Sequence, residues 1–199
     1  MTKGIEFEDD FLLGFLLCNK FNADGALAGI RHLLNLRKNH SYFFRSIQFD
    51  FTTIPAAQFI KVLPYRQSNG SVIVLFELGK VCWNDISFET FKQLAFIVYQ
   101  QLLRDPVSQM AGINCINDFS NTGIRHLRYC TLPNLLLLYH VAFLHFHSSP
   151  EELLNYFPPE VIPVQYGGTL SDYYMADWMK KANKQHEDLT VKGQKNMFP

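Results

Sequence analysis

The stretch SVIVLFEL, residues 71–78, sets the tightest limit on what this chain can fold into. Its apolar residues run on from Val72 to Phe76 without alternation. A strand of that kind puts apolar side chains on both faces and must be covered on both. The preceding RQSNG reads as a turn. The following SFETFKQLAFIVYQQLLRDP reads as a long helix: Ser87 caps it, Pro106 stops it, and Phe88, Phe91, Ala95, Val98 and Leu102 form its stripe. AGINCINDF then reads as a second short strand, with Ile113, Cys115 and Asn117 on one face and Asn114, Ile116 and Asp118 on the other. LPNLLLLYHVAFL, with Pro133 near its first turn, predicts another helix. Strand, helix, strand, helix in this order implies an α/β sheet with a right-handed crossover.

Before this unit lies a helical hairpin. DFLLGFLLCNK places Phe11, Leu12, Phe15 and Leu16 on one helical face, with Asp9 or Asp10 available as a cap. In the next segment Asn22 is the expected N-cap, and Ala26, Ile30, Leu33, Leu34 and Arg37 repeat with helical spacing. Arg37 and Lys38 fall in the last turn, where cations suit the helix dipole. Residues 41–69, with Pro55 and Pro64, read as a looser stretch. The segment after Ser171 pairs Tyr174 with Trp178 at i, i+4 and then becomes a polar tail.

Eighteen basic and eighteen acidic residues cancel, so no global field recruits nucleic acid or an anionic membrane. Aromatic residues reach 15% and charged residues only 18%, a greasy balance that a thick core or an internal cavity for an apolar ligand would explain. Cys18, Cys82, Cys115 and Cys130 form no CxxC pair and sit in apolar company, which predicts reduced, buried thiols in a reducing compartment. MTKGIEFEDDFLL carries acids before its apolar run, unlike a secretory signal. LPNLLLLYHVAFLHF is broken by His140 and His145 and is too short to span a bilayer. A cytoplasmic location is expected.

The search for catalytic chemistry is negative. No GxGxxG, P-loop, GxSxG or HExxH occurs. His145 and His147 stand at i, i+2 and would share a strand face, as two metal ligands could. Glu151 and Glu152 supply no third ligand, because they belong to the first turn of a helix starting near Pro150. No metal, no cofactor and no catalytic residue is expected.

The order of these elements resembles the CRAL-TRIO family, the lipid-cavity fold of tocopherol-transfer, retinaldehyde-binding and phosphatidylinositol-transfer proteins. FLLGFLLCNKFNADGALAGIRHLLNLRKNH is similar to the family's N-terminal helical element, and NGSVIVLFELGKVCWNDIS to its first strand. DPVSQMAGINCINDFSN resembles the step from a long helix into a strand ending in an aspartate, here Asp118. LHFHSSPEELLNYFPPEVIPVQYGGTL is the most specific match, combining a His-aromatic-His step, a short helix and a Tyr-Gly-Gly exit. On this resemblance His145 and His147 are architectural. Gly167 and Gly168 serve backbone angles closed to other residues. One departure is plain: the strand, mobile gate helix and basic residues that the family places before the His-aromatic-His step have no counterpart between Leu144 and His145. No Lys or Arg lies between Arg128 and Lys180, so a phosphoinositide headgroup site has no match either.

The resemblance implies residues 1–40 as the N-terminal helical element, 41–170 as a CRAL-TRIO-like lipid-binding domain in incomplete form, and 171–199 as a C-terminal helix and tail. It implies non-catalytic binding and transfer of a small hydrophobic lipid, tocopherol-, retinoid- or phosphoinositide-like, by a monomer that meets membranes transiently. Phe91, Ala95, Val98, Tyr99 and Leu102 would form one wall of the cavity. Ile113, Cys115 and Asn117 would form part of the floor, with Leu127, Cys130 and Leu135 opposite. Core packing is the competing role for each. Asn117 stands out, since a buried amide needs a partner. A shortened or regulatory interaction protein without lipid is the alternative, and an enzyme ranks last.

Overall fold

A computed structural model describes residues 7, 9–39, 41, 58–127, 131, 149–171, 173, 177–182 and 184. It is a mixed α/β structure around a three-stranded sheet. Helices α1 (Asp9–Cys18) and α2 (Ala23–Asn39) form the N-terminal hairpin. Asn22 caps α2 as expected, its Oδ1 accepting from the amides of Asp24 and Gly25 at 3.1 and 3.2 Å. Only Ala26 and Ile30 of its expected stripe are buried. Gly29 of α2 leaves room for the ring of Phe15 from α1.

The sheet order is β1 (Ile60–Val62), β2 (Val72–Glu77), β3 (Ile113–Asp118). β1 pairs antiparallel with β2, Ile60 opposite Phe76, whereas β2 and β3 run parallel from Val72 opposite Ile113 to Glu77 opposite Asp118. The parallel pair encloses α3 (Phe88–Leu102) and α4 (Pro106–Ala111), which is the expected crossover order. β1 corrects the reading of 41–69 as merely loose: three residues are too few to show a period of two, so only tertiary pairing reveals them.

Every residue of β2 is buried, as the unbroken apolar run required. Val72, Val74 and Phe76 join Leu94, Ile97, Val98 and Leu102 of α3 in one core. Ile73 and Leu75 join Val161, Ile162, Tyr166 and Leu170 in another. The second face is covered by a strap, residues 149–171, made of three short 3-10 turns at Pro150–Asn155, Pro159–Val161 and Val164–Tyr166. Glu151 and Glu152 do lie in the first turn after Pro150, but that turn is 3-10.

Ser87 caps α3, accepting from the Thr90 amide at 3.0 Å. The buried face of α3 is centred on Leu94, Ile97, Val98, Gln101 and Leu102, rotated from the expected stripe, whose Phe88, Phe91 and Ala95 are half-buried. The rotation follows from aromatic crowding. Phe91 packs against Phe59, Phe76, Trp83 and Phe88 at centroid distances of 5.6 to 6.2 Å, so it borders the core without sinking into it. Two glycines close the strap. Gly167 ends the last turn at φ +84°, in the left-handed region. Gly168 serves another purpose than the backbone angle expected of it: a Cβ there would collide with the Ile162 carbonyl oxygen.

Candidate functional site

The α3–β3 seam gathers most of the residues expected to meet a ligand. Phe91, Ala95 and Tyr99 of α3 and Ile113 of β3 are half-buried around the first core. Val98 and Leu102 are 3% and 6% exposed, inside that core, and serve packing first. Cys115 and Asn117 are exposed on the same face of β3. This corrects the expectation of a buried Asn117 amide. Cys18 and Cys82 are exposed as well, contrary to the buried thiols expected, and all three are free. The reason for Cys115 and Asn117 is positional: among the described strands β3 forms an edge, and of this face only Ile113 packs against the first core. Leu127 lies in the short helix α5 (Ile124–Leu127). Cys130, Leu135, His145, His147 and Tyr174, with the helix expected over LPNLLLLYHVAFL, lie outside the described residues.

Among the described residues a polar contact crosses the seam. The Tyr99 hydroxyl lies 2.8 Å from Cys115 Sγ. Desolvation pushes the Tyr99 phenol up, and the adjacent thiol adds to it. Although the residue as a whole is exposed, desolvation around its sulfur also pushes the Cys115 thiol up, more than the bond from Tyr99 lowers it. Both groups therefore stay protonated and uncharged at neutral pH, and a raised thiol is a poor nucleophile. The seam offers an apolar surface edged by a phenol, a thiol and an amide.

A second polar cluster, missed from sequence, sits where β2 and β3 end. Glu77 is buried, and its Oε1 accepts from Lys80 Nζ at 2.7 Å and from Gln165 Nε2 at 3.1 Å. Asp118 Oδ2 accepts from the Tyr166 hydroxyl at 2.7 Å, and its Oδ1 from the Ser120 amide at 2.7 Å. Burial pushes the Asp118 carboxyl up, but bonds from Ser120 and Tyr166 and the Lys80 charge outweigh it and hold the group below its usual value. Burial and Asp118 together push the Tyr166 phenol up. Gly79 lets the loop after β3 close over this end, since a Cβ there would strike the Ser120 carbonyl oxygen. Glu77 Oε2 is sealed without a hydrogen-bond partner among the described residues. The cluster fastens the strap to the sheet. A charged residue at the end of an unbroken apolar strand was its one sequence signal.

A hollow of about 220 Å³ on the strap side, lined by Tyr65, Glu160, Thr169, Leu170 and Ser171, contains none of the expected site residues and is smaller than ordinary ligand pockets. Among the described residues no three His, Cys, Asp or Glu side chains gather into a metal-binding group. No helix among them is long and apolar enough to cross a membrane. The chain matches none of the protein-family models and none of the curated proteins it was compared with.

Proposed function

We propose that this chain is a non-catalytic binding protein for a small uncharged lipid, held along the α3–β3 seam in the manner of a CRAL-TRIO carrier and passed on at a membrane surface in the cytoplasm. The observation that carries the reading is the half-covered face of β3. Ile113 packs against the core that Phe91, Ala95 and Tyr99 of α3 also border, while the same face continues to exposed Cys115 and Asn117. Extending that apolar cover with a lipid chain would contribute roughly 0.8 kcal/mol for each methylene removed from water. The uncharged phenol, thiol and amide suit a hydroxyl or carbonyl group better than a phosphate, which calls for cations.

A second reading rests on Phe119 and Ile124, which are 59% and 86% exposed just beyond β3. Apolar side chains presented to water suit a protein partner, and a family-derived regulatory protein without lipid would use them so. Native mass spectrometry of the purified full chain, followed by organic extraction, separates the two. The carrier reading expects a stoichiometric lipid, displaced when Cys115→Arg places a charge in the seam. A folded protein that holds no lipid, and takes none from liposomes, would sink it and leave the partner reading.

A further inference from the structure

Helix α1 ends in a Schellman turn, in which the Phe21 amide donates to the Leu16 carbonyl at 2.7 Å and the Lys20 amide to that of Leu17 at 3.1 Å. Lys20 and Phe21 take φ values of +51° and +62°, where glycine or asparagine is usual. The residue in the position of Phe21 ordinarily folds its apolar side chain back onto the helix. Here Phe21 is 66% exposed, at the tip of the hairpin, beside an exposed lysine.

Helix α2 follows within two residues. Leu27, Arg31, Leu34 and Lys38 follow at i, i+4, i+7 and i+11 and share one face. Leu27 is 45% exposed, Arg31 and Lys38 are exposed, and Leu34 is half-buried. The single acid of α2, Asp24, lies in its first turn three residues before Leu27, on the same face, so the cations outnumber it there. The hairpin thus presents an aromatic tip and an exposed leucine in line with cations. Apolar side chains can enter an acyl layer while interleaved lysine and arginine reach up to anionic headgroups. A protein partner would need acids opposite the cations and a pocket for Phe21. A bilayer meets both demands without a matched shape.

We propose that the α1–α2 hairpin is a docking face for an anionic lipid surface, with Phe21 and Leu27 entering the interface and Lys20, Arg31 and Lys38 pairing with its headgroups. The face stands on the hairpin alone, independent of what the seam carries. The test is co-sedimentation of the full chain with phosphatidylcholine vesicles, with and without phosphatidylserine. Binding is expected only with phosphatidylserine, falling roughly five-fold for each of Arg31→Gln and Lys38→Gln and weakening further in high salt. Phe21→Ser should weaken it as well. Because that change alters a turn, a Phe21→Trp variant reads the same contact directly, its emission being quenched by brominated lipid in the bound state. No binding to the anionic vesicles, or binding untouched by the double Arg31→Gln, Lys38→Gln variant, would overturn the proposal. So would a dimer in sedimentation velocity that Phe21→Ser dissolves, since the face would then belong to a second copy.

Discussion

The two faces of the sheet are closed by different means. On one, the long helix α3 supplies a regular apolar side to Val72, Val74 and Phe76. On the other, the irregular strap packs Val161, Ile162, Tyr166 and Leu170 onto Ile73 and Leu75. Both sides bury residues wholly, Phe59, Ile60 and Val74 on the helix side and Ile73, Leu75 and Ile162 on the strap side, but the strap is also tied down by side chains at both ends. Tyr166 and Gln165 reach Asp118 and Glu77 at one end of the strands, while Gln67 donates to the Tyr156 carbonyl at the other. Gln67 Oε1 and Ser71 Oγ there also accept from Asn114 Nδ2. On the helix side, among the described residues, a Tyr–Cys contact crosses the seam, and Cys115 and Asn117 of β3 are exposed. Among the described residues the regular helix leaves part of β3 exposed, whereas the strap is bonded to the sheet at both ends.

The sharpest way to break this comparison is Gly168→Ala. The new Cβ meets backbone, the Ile162 carbonyl, which cannot move without lifting the strap. A loss of about 3 kcal/mol is expected in urea unfolding. A near-neutral result would show the strap to be loose. Ile162→Ala should come next, at about 3 kcal/mol for a wholly buried isoleucine, and it should exceed Ile113→Ala on the half-covered side. Equal losses at the two positions would erase the asymmetry.

Tyr166→Phe removes a hydrogen bond to a carboxylate and should cost about 2 kcal/mol at neutral pH. Its pH dependence sharpens the point. The Asp118 carboxyl is held below its ordinary value in the folded state, so its contribution is fully present above an unfolded value of about 3.9. That contribution is lost as pH falls through the folded value. The gap between wild type and Tyr166→Phe should therefore narrow below about pH 4 and close once Asp118 is protonated in both. A gap that held constant into acid would mean that Tyr166 acts through packing. Tyr99→Phe should be the mildest change, below about 1 kcal/mol, because a neutral contact to sulfur is weak. A larger loss there would mean that the seam, too, is locked.

The parts of this architecture that show in the sequence are those that repeat. The unbroken run from Val72 to Phe76 demanded cover on both faces, and both faces are covered. Asn22 and Ser87 marked their helix starts because capping needs only a side-chain oxygen next to the first free amides. Alternation in β3 placed Cys115 and Asn117 with Ile113 on one face, but it carries no information on how far a helix reaches across that face. Hence their exposure was illegible. The strap was illegible as an element because 3-10 turns show neither a 3.6- nor a 2-residue period. Its Tyr166 finds Asp118 across a long stretch of chain that no local pattern spans. On α3 the periodicity was right and its phase was not, because four aromatic neighbours hold Phe91 at the rim.

The mixed pairing of β2 has a consequence during synthesis. Its antiparallel neighbour β1 has left the ribosome before it, while its parallel neighbour β3 follows only after the whole of α3 and α4. The strap that covers Ile73 and Leu75 comes later still. For that interval the most apolar of the described strands is paired on one side only, with a face open to other nascent chains. Yield in the cell should therefore depend on chaperone supply more than the finished protein's stability would suggest.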